Sequence, residues 1–151
     1  MILEAIGSWP GAIWLRGSAT AYLFVNATHI LGIGLLLGSI LPLDLRLLGF
    51  FRRFPLEVLR SFLVRNAAVG LTLAIVTGLW LFSVKPAEYL ANTAFRWKMV
   101  FLVIALLNVA FQHRGASGRA FELTRATRVR AALSLCLWLS ALVAGRWIGF
   151  L

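Results

Sequence analysis

Four stretches of this chain are apolar over the length that a helix needs to cross a bilayer, and nothing else in it constrains the fold as much. A hydrocarbon core of ~30 Å takes about 20 residues of helix. The stretches at about 20–43, 64–84, 96–113 and 131–150 each supply them. Backbone groups inside lipid must bond within their own segment, which favours helices. Hydrophobic residues make up 61% of the 151, against about 45–50% in a soluble domain. The expected fold is all-α: an integral membrane antiparallel four-helix bundle with short interfacial helices, forming a single transmembrane domain over 1–151. No internal repeat is evident beyond the succession of helices.

The connections set the orientation. Arg46, Arg52, Arg53, Arg60 and Arg65 flank the first, and Arg114, Arg119, Arg125, Arg128 and Arg130 line the third. Arg16, Lys85, Arg96, Lys98 and Arg146 fall on the opposite side. The positive-inside rule places the ten in the cytoplasm. This predicts a multi-pass membrane protein with both termini facing outward. Trp9, Trp14, Trp80, Trp97 and Trp147 then collect at the outer boundary, where interfacial aromatics belong. The net charge of +10 is therefore a topology signal and predicts no nucleic-acid partner, which would need a continuous basic face.

Among the connections, GFFRRFPLEVLRSF reads as a short amphipathic surface segment. In SVKPAEYLANTAFR, Pro86 and Asn92 mark a turn. RGASGRAFELTRATRVR is polar and Arg-rich. The first residues lack a basic n-region and a small-residue cleavage site, and read as a retained interfacial segment carrying Trp9, Trp14 and Arg16. Cys136, the one cysteine, reads as apolar filler. Gly34 with Gly38, and Gly145 with Gly149, have GxxxG spacing, which lets helix backbones approach closely. Contact within the bundle is the expected use, and a homodimer seam is the alternative. Asp44 and Arg46 lie too close in sequence to share a helix face, so each is expected to find its own partner.

Chemistry starts from His29, since ionisable groups inside a membrane segment mark functional sites by default. Tyr22, Asn26 and His29 follow at i, i+4 and i+7 and share one helix face, continued by Gly32 and Leu36. Asn66, Gly70, Leu73 and Thr77 form a comparable stripe in the second span. Lys98, Ala105, Asn108 and Gln112 form another in the third, with His113 near its end. Such stripes face a bundle interior. They suggest a polar seam, a bound cofactor, or both.

Depth along the helices sorts the candidates. At ~1.5 Å per residue, His29 lies about 13 Å below the outer boundary, Lys98 and Arg146 roughly 3–6 Å, and His113 about 26 Å. A haem clamped by two histidines needs both at one level, so His29 and His113 are poor partners for one iron. His29 is then either a lone axial ligand or a hydrogen-bonding residue reaching a neighbouring helix through Asn66 or Asn108. His113 is a lone ligand or an interfacial residue. Lys98 and Arg146 suit the propionates of a tetrapyrrole on His29, or snorkel to outer headgroups. No acid/base dyad, nucleophile triad, phosphate-binding glycine loop or metal-binding cluster is present, and inverted repeats typical of transporters are lacking.

The segments THILGIGLLLGSILPLDLRLLG (28–49), TGLWLFSVKPAEYLANTAFRWKM (77–99), LNVAFQH (107–113) and LSLCLWLSALVAGRWIGF (133–150) resemble a family of small bacterial four-span membrane proteins of unknown function. More distantly, the His29-Ile30 pair, Phe95 with Lys98, and His113 are similar to the four-helix membrane protoporphyrinogen oxidases. Copper-resistance D-type membrane proteins share the same general plan. The oxidase likeness implies a b-type haem, with His29 and Lys98 as functional positions; DLRLLG and GRWIGF depart from the oxidase motifs. The resulting expectation is haem b held by His29, with Lys98, Arg146, Asn26, Tyr22 and Asn108 around the cofactor, and electron transfer with a quinone or redox protein partner. The alternative is a non-redox protein whose seam binds a lipid or small hydrophobic ligand, or a membrane subunit of a larger complex.

Overall fold

In a computed structural model of the chain, the residues described are 2–53, 55–115 and 124–150, with 113–115 described by backbone alone. The elements are α1 (Ile2–Ser8), α2 (Pro10–Gly17), α3 (Ala19–Leu48), α4 (Leu56–Val84), α5 (Pro86–Ala91), α6 (Thr93–Gly115) and α7 (Arg125–Trp147), closed by a 3-10 turn at Ile148–Phe150. No strand occurs among the described residues. Four helices are long and apolar enough to cross a membrane: Ala19–Leu48, Leu56–Val84, Thr93–Gln112 and Arg125–Phe150.

The spans run longer than their apolar runs. α3 passes through Pro42 and stops only at Gly49. There the Phe50 amide donates to the Leu45 carbonyl at 3.0 Å and the Gly49 amide to Arg46 at 3.2 Å. With Gly49 at φ 110°, this is a Schellman ending, which favours glycine because a Cβ is strained at positive φ. Proline removes one helical donor and crowds one turn, and the chain on either side is apolar enough to continue. The connection expected as a separate short segment at 49–62 is continuous with the second span in its latter half: α4 starts at Leu56, because nothing interrupts the helical pattern after Pro55. The turn expected around Pro86 is the six-residue α5. Asn92 then caps α6, its Oδ1 accepting from the Phe95 amide at 3.2 Å, a standard N-cap use of asparagine.

The chain falls into two compact units, residues 1–39 with 64–91 and residues 40–63 with 92–151. In the first, α3 and α4 meet at glycine. A Cβ on Gly70 would lie 2.5 Å from the Leu36 nitrogen, and one on Gly32 2.8 Å from the Ala74 nitrogen. His29 meets Thr77, so residue numbers rise along one helix as they fall along the other and this pair is antiparallel. Leu15, Ala21, Leu81 and Val84 form a buried cluster with Val25 and Trp80 packed on it. The N-terminal helices are tied to it by polar contacts. Trp9 Nε1 donates to Ser83 Oγ at 3.0 Å and Trp80 Nε1 to the Gly11 carbonyl at 3.0 Å. Arg16 donates to the carbonyls of Val84 at 2.6 Å and Gly7 at 3.1 Å. The Trp80 ring lies 6.2 Å from Trp9 and 5.9 Å from Trp14.

In the second unit, α6 and α7 also pack antiparallel. Asn92 Nδ2 reaches the Ile148 carbonyl at 3.4 Å, Lys98 lies along Gly145, and Asn108 Nδ2 donates to the Arg130 carbonyl at 3.1 Å. The buried face of α7 carries Ala131, Ser134, Leu137, Trp138, Ala141 and Ala144, the three-and-four spacing of one helix face. Thr124 caps this helix by accepting from the Thr127 amide. Phe24, Ile30, Leu79 and Val143 are each more than half exposed, which suits helices surrounded by lipid rather than water.

Candidate functional site

His29 is positioned by α3 and held by α4. Its Nδ1 lies 3.0 Å from Thr77 Oγ1, and Thr77 in turn donates its hydroxyl to the Leu73 carbonyl at 2.5 Å. A hydroxyl has one hydrogen. With that hydrogen on Leu73, the Thr77 oxygen accepts, and the imidazole donates through Nδ1. The neutral ring therefore has Nε2 as its basic nitrogen, the one that can accept a proton or ligate a metal. Gly78 makes room for the ring, since a Cβ there would stand 2.9 Å from Cε1.

The helix-to-helix hydrogen bond given as one of two alternatives for His29 therefore exists, but its partner is Thr77 rather than Asn66 or Asn108. Thr77 stands on the polar stripe of the second span. No register across two helices can be read from one chain, so the pairing was not legible. Along the rest of the α3 face, Gly32 and Leu36 are buried and Asn26 and His29 half-buried, while Tyr22, expected to turn inward with them, is exposed. Tyr22 hydrogen-bonds Tyr89 of α5. Burial, followed by that hydrogen bond and by the nearby Tyr22 and Glu88 charges, pushes the Tyr89 phenol up to about 12.

The other candidates lie in the second unit. Lys98 is half-buried, and its Cδ, Cε and Nζ lie 3.5–3.6 Å from the Cβ position of Gly145. The glycine expected to admit a helix backbone admits a lysine stem instead. Arg146 is exposed, with its guanidinium carbon 4.7 Å from the Phe150 ring centre, a cation–π geometry. Together with Leu142, Val143, Trp147 and Phe150 it lines an open groove of about 720 Å³. Asn108 is buried and bonded to the α7 backbone through Arg130, an interhelical tie between α6 and α7. His113 is a residue whose side chain lies outside the described residues, as do the Arg114 side chain and Arg119.

Two further expectations change. Gly34 and Gly38 are exposed, with no atom within 4 Å of their Cβ positions, so the close approach inside the first unit uses Gly32 and Gly70. Cys136 is exposed on α7 rather than filling an interior. Asp44 and Arg46 do have separate partners, Ser134 for the carboxyl and the Arg52 carbonyl at 3.5 Å for the guanidinium.

Chemically, the first unit offers one oriented imidazole, and the second offers two cations, one from α6 and one from α7. Among the described residues no group of three or more His, Cys, Asp or Glu is placed to hold a metal ion. No curated protein and no solved structure matches the chain. A family model does match, over residues 5–151, and that span is nearly the whole sequence: the chain belongs to the family of unknown function DUF6644.

Proposed function

We propose that this chain is a multi-pass bacterial inner-membrane protein that binds b-type haem through His29 and passes electrons. The supporting observation is the relay from His29 Nδ1 through Thr77 to the Leu73 carbonyl. Metal-ligating histidines commonly donate their other ring nitrogen to a fixed acceptor, which sets the tautomer and raises ligand basicity. Thr77 supplies that acceptor and Gly78 leaves the ring its space, so His29 is the residue that would hold the haem iron. Haem, when bound, supplies a one-electron iron couple whose potential depends on its axial ligand and surroundings. The chain's own part is to hold Nε2 basic and the ring in one orientation. A quinone and an outer-face redox protein are proposed as electron partners, with both termini periplasmic.

Visible spectra of the purified protein, oxidised and dithionite-reduced, test this reading. A Soret band is expected after expression with ample haem, and its absence overturns the proposal. His29→Ala should abolish or shift the band, whereas His113→Ala should leave it largely intact.

The groove beside Arg146 favours a second, non-redox reading. An apolar trough ending in a guanidinium suits an anionic lipid, with acyl chain against Leu142 and Val143 and headgroup at Arg146. Co-purified anionic lipid that falls with Arg146→Gln, in protein lacking a Soret band, would support this reading over the first.

A further inference from the structure

Two buried side-chain polar atoms have no hydrogen-bond partner among the described residues: Asp44 Oδ2 and Trp138 Nε1. Both belong to the second unit, and their residues are each only 3% exposed. They are also connected. Ser134, 2% exposed, hydrogen-bonds the Asp44 carboxyl. Trp138 stands one helical turn beyond Ser134 on the same buried face of α7. A buried polar group without a partner costs about 1–3 kcal/mol, so such groups are rare and call for an explanation.

The two orphaned atoms are complementary, one an acceptor and the other a donor. A cation would satisfy Asp44 and be repelled by the indole N–H. An anion would do the reverse. A neutral hydroxyl satisfies both, because it carries one hydrogen and two lone pairs. It also serves Asp44 in either protonation state, donating to the carboxylate or accepting from the acid. We propose that Asp44, Ser134 and Trp138 form a binding site for a single hydroxyl group, which bridges Asp44 Oδ2 and Trp138 Nε1. The hydroxyl belongs to an internal water or to a membrane-soluble alcohol such as a lipid glycerol. The site involves none of the residues proposed to hold haem.

The experiment uses the whole protein, ¹⁵N-labelled at tryptophan, in deuterated detergent micelles. The Trp138 indole resonance is the one lost in Trp138→Phe, or, should that variant not fold, the one displaced in Ser134→Ala. Magnetisation transfer from its proton to a hydroxyl outside the protein is expected. Transfer at the water frequency identifies water, and transfer that includes carbon-bound ligand protons identifies an alcohol. Transfer only to protein protons overturns the proposal. Thermal unfolding gives a second reading. Asp44→Leu and Trp138→Phe should each lower the midpoint, and the double variant should lose less than the sum, because the same hydroxyl serves both. Additive losses would overturn the shared site.

Discussion

Gly70 of α4 lies against the backbone of α3 at Leu36, so close that a Cβ would fall 2.5 Å from the Leu36 nitrogen and 2.8 Å from the Gly32 carbonyl. Backbone cannot move aside as a flexible side chain can, so this contact sets how near the two helices run. Gly70→Ala should destabilise the protein by about 1–3 kcal/mol, the usual cost of overpacking, and Gly32→Ala should do the same. Gly34→Ala and Gly38→Ala meet open space and should change stability by less than about 1 kcal/mol, in the favourable direction expected from helix propensity. Thermal unfolding of all four variants in one detergent checks the contrast, and equal losses would contradict the packing.

The tautomer of His29 depends on the Thr77 hydroxyl. Thr77→Ser preserves the oxygen and should leave the imidazole ¹⁵N spectrum with Nδ1 protonated. Thr77→Val removes the acceptor while nearly keeping the shape, and should cost about 1–2 kcal/mol, as expected for the loss of a buried hydrogen bond. It should also allow the ring to populate its other tautomer. An unchanged spectrum in Thr77→Val would mean that Thr77 does not orient His29.

Asn108 joins α6 to the backbone of α7 through its amide. Asn108→Ala should cost about 1–2 kcal/mol of stability by removing this bond between the two helices. Any haem spectrum should keep its shape, since the variant loosens a helix pair. A Soret shift in this variant, with stability unchanged, would instead place Asn108 at the cofactor.

Tyr89 should titrate late. Its phenol is raised from 10.0 to about 12, first by burial and then by Tyr22 and Glu88. The raised value means that the folded protein keeps a proton the unfolded chain has lost. The stabilisation is therefore complete below pH 10 and declines as pH rises towards about 12. Tyrosinate absorbance measures the titration directly. Tyr22→Phe should lower the Tyr89 midpoint without returning it to 10.0, because burial is the largest cause and remains. A midpoint at 10.0 in the native protein would contradict the burial.

Trp9 and Trp80 pin the N-terminal helices to the end of α4 by two indole hydrogen bonds. Trp80→Phe keeps most of the aromatic packing and removes the bond to the Gly11 carbonyl. Limited proteolysis should then cut within residues 2–17 faster than in the native protein, with the four long helices left intact. Equal cutting rates would show that Arg16, through Val84 and Gly7, holds the segment without Trp80.

How much of this was legible in the sequence differs from one element to the next. Four apolar runs of spanning length appear as four long helices, because hydrophobicity summed along a segment is a local property. The inward turn of Gly32, Leu36, Ala105 and Asn108 was likewise legible from spacing on a single helix. Helix ends were less so. The first span, read as closing near residue 43, continues as helix to Leu48 and ends at Gly49, because the leucine-rich turn after Pro42 carries the helix past one missing donor. The GxxxG spacing at Gly34 was misleading, since small residues permit close approach but do not select which face makes it.

The sequence by itself determined the helix content, the likeness to a family, and the identity of His29 as the chemically exposed choice among apolar neighbours. Tertiary structure decided the pairings. It set Thr77 against His29, Gly70 against Gly32, Lys98 against Gly145 and Ser134 against Asp44. Each depends on the register of one helix against another, a relation between segments distant in sequence. Periodicity is written along a single helix, and register is settled only when two packed surfaces interlock.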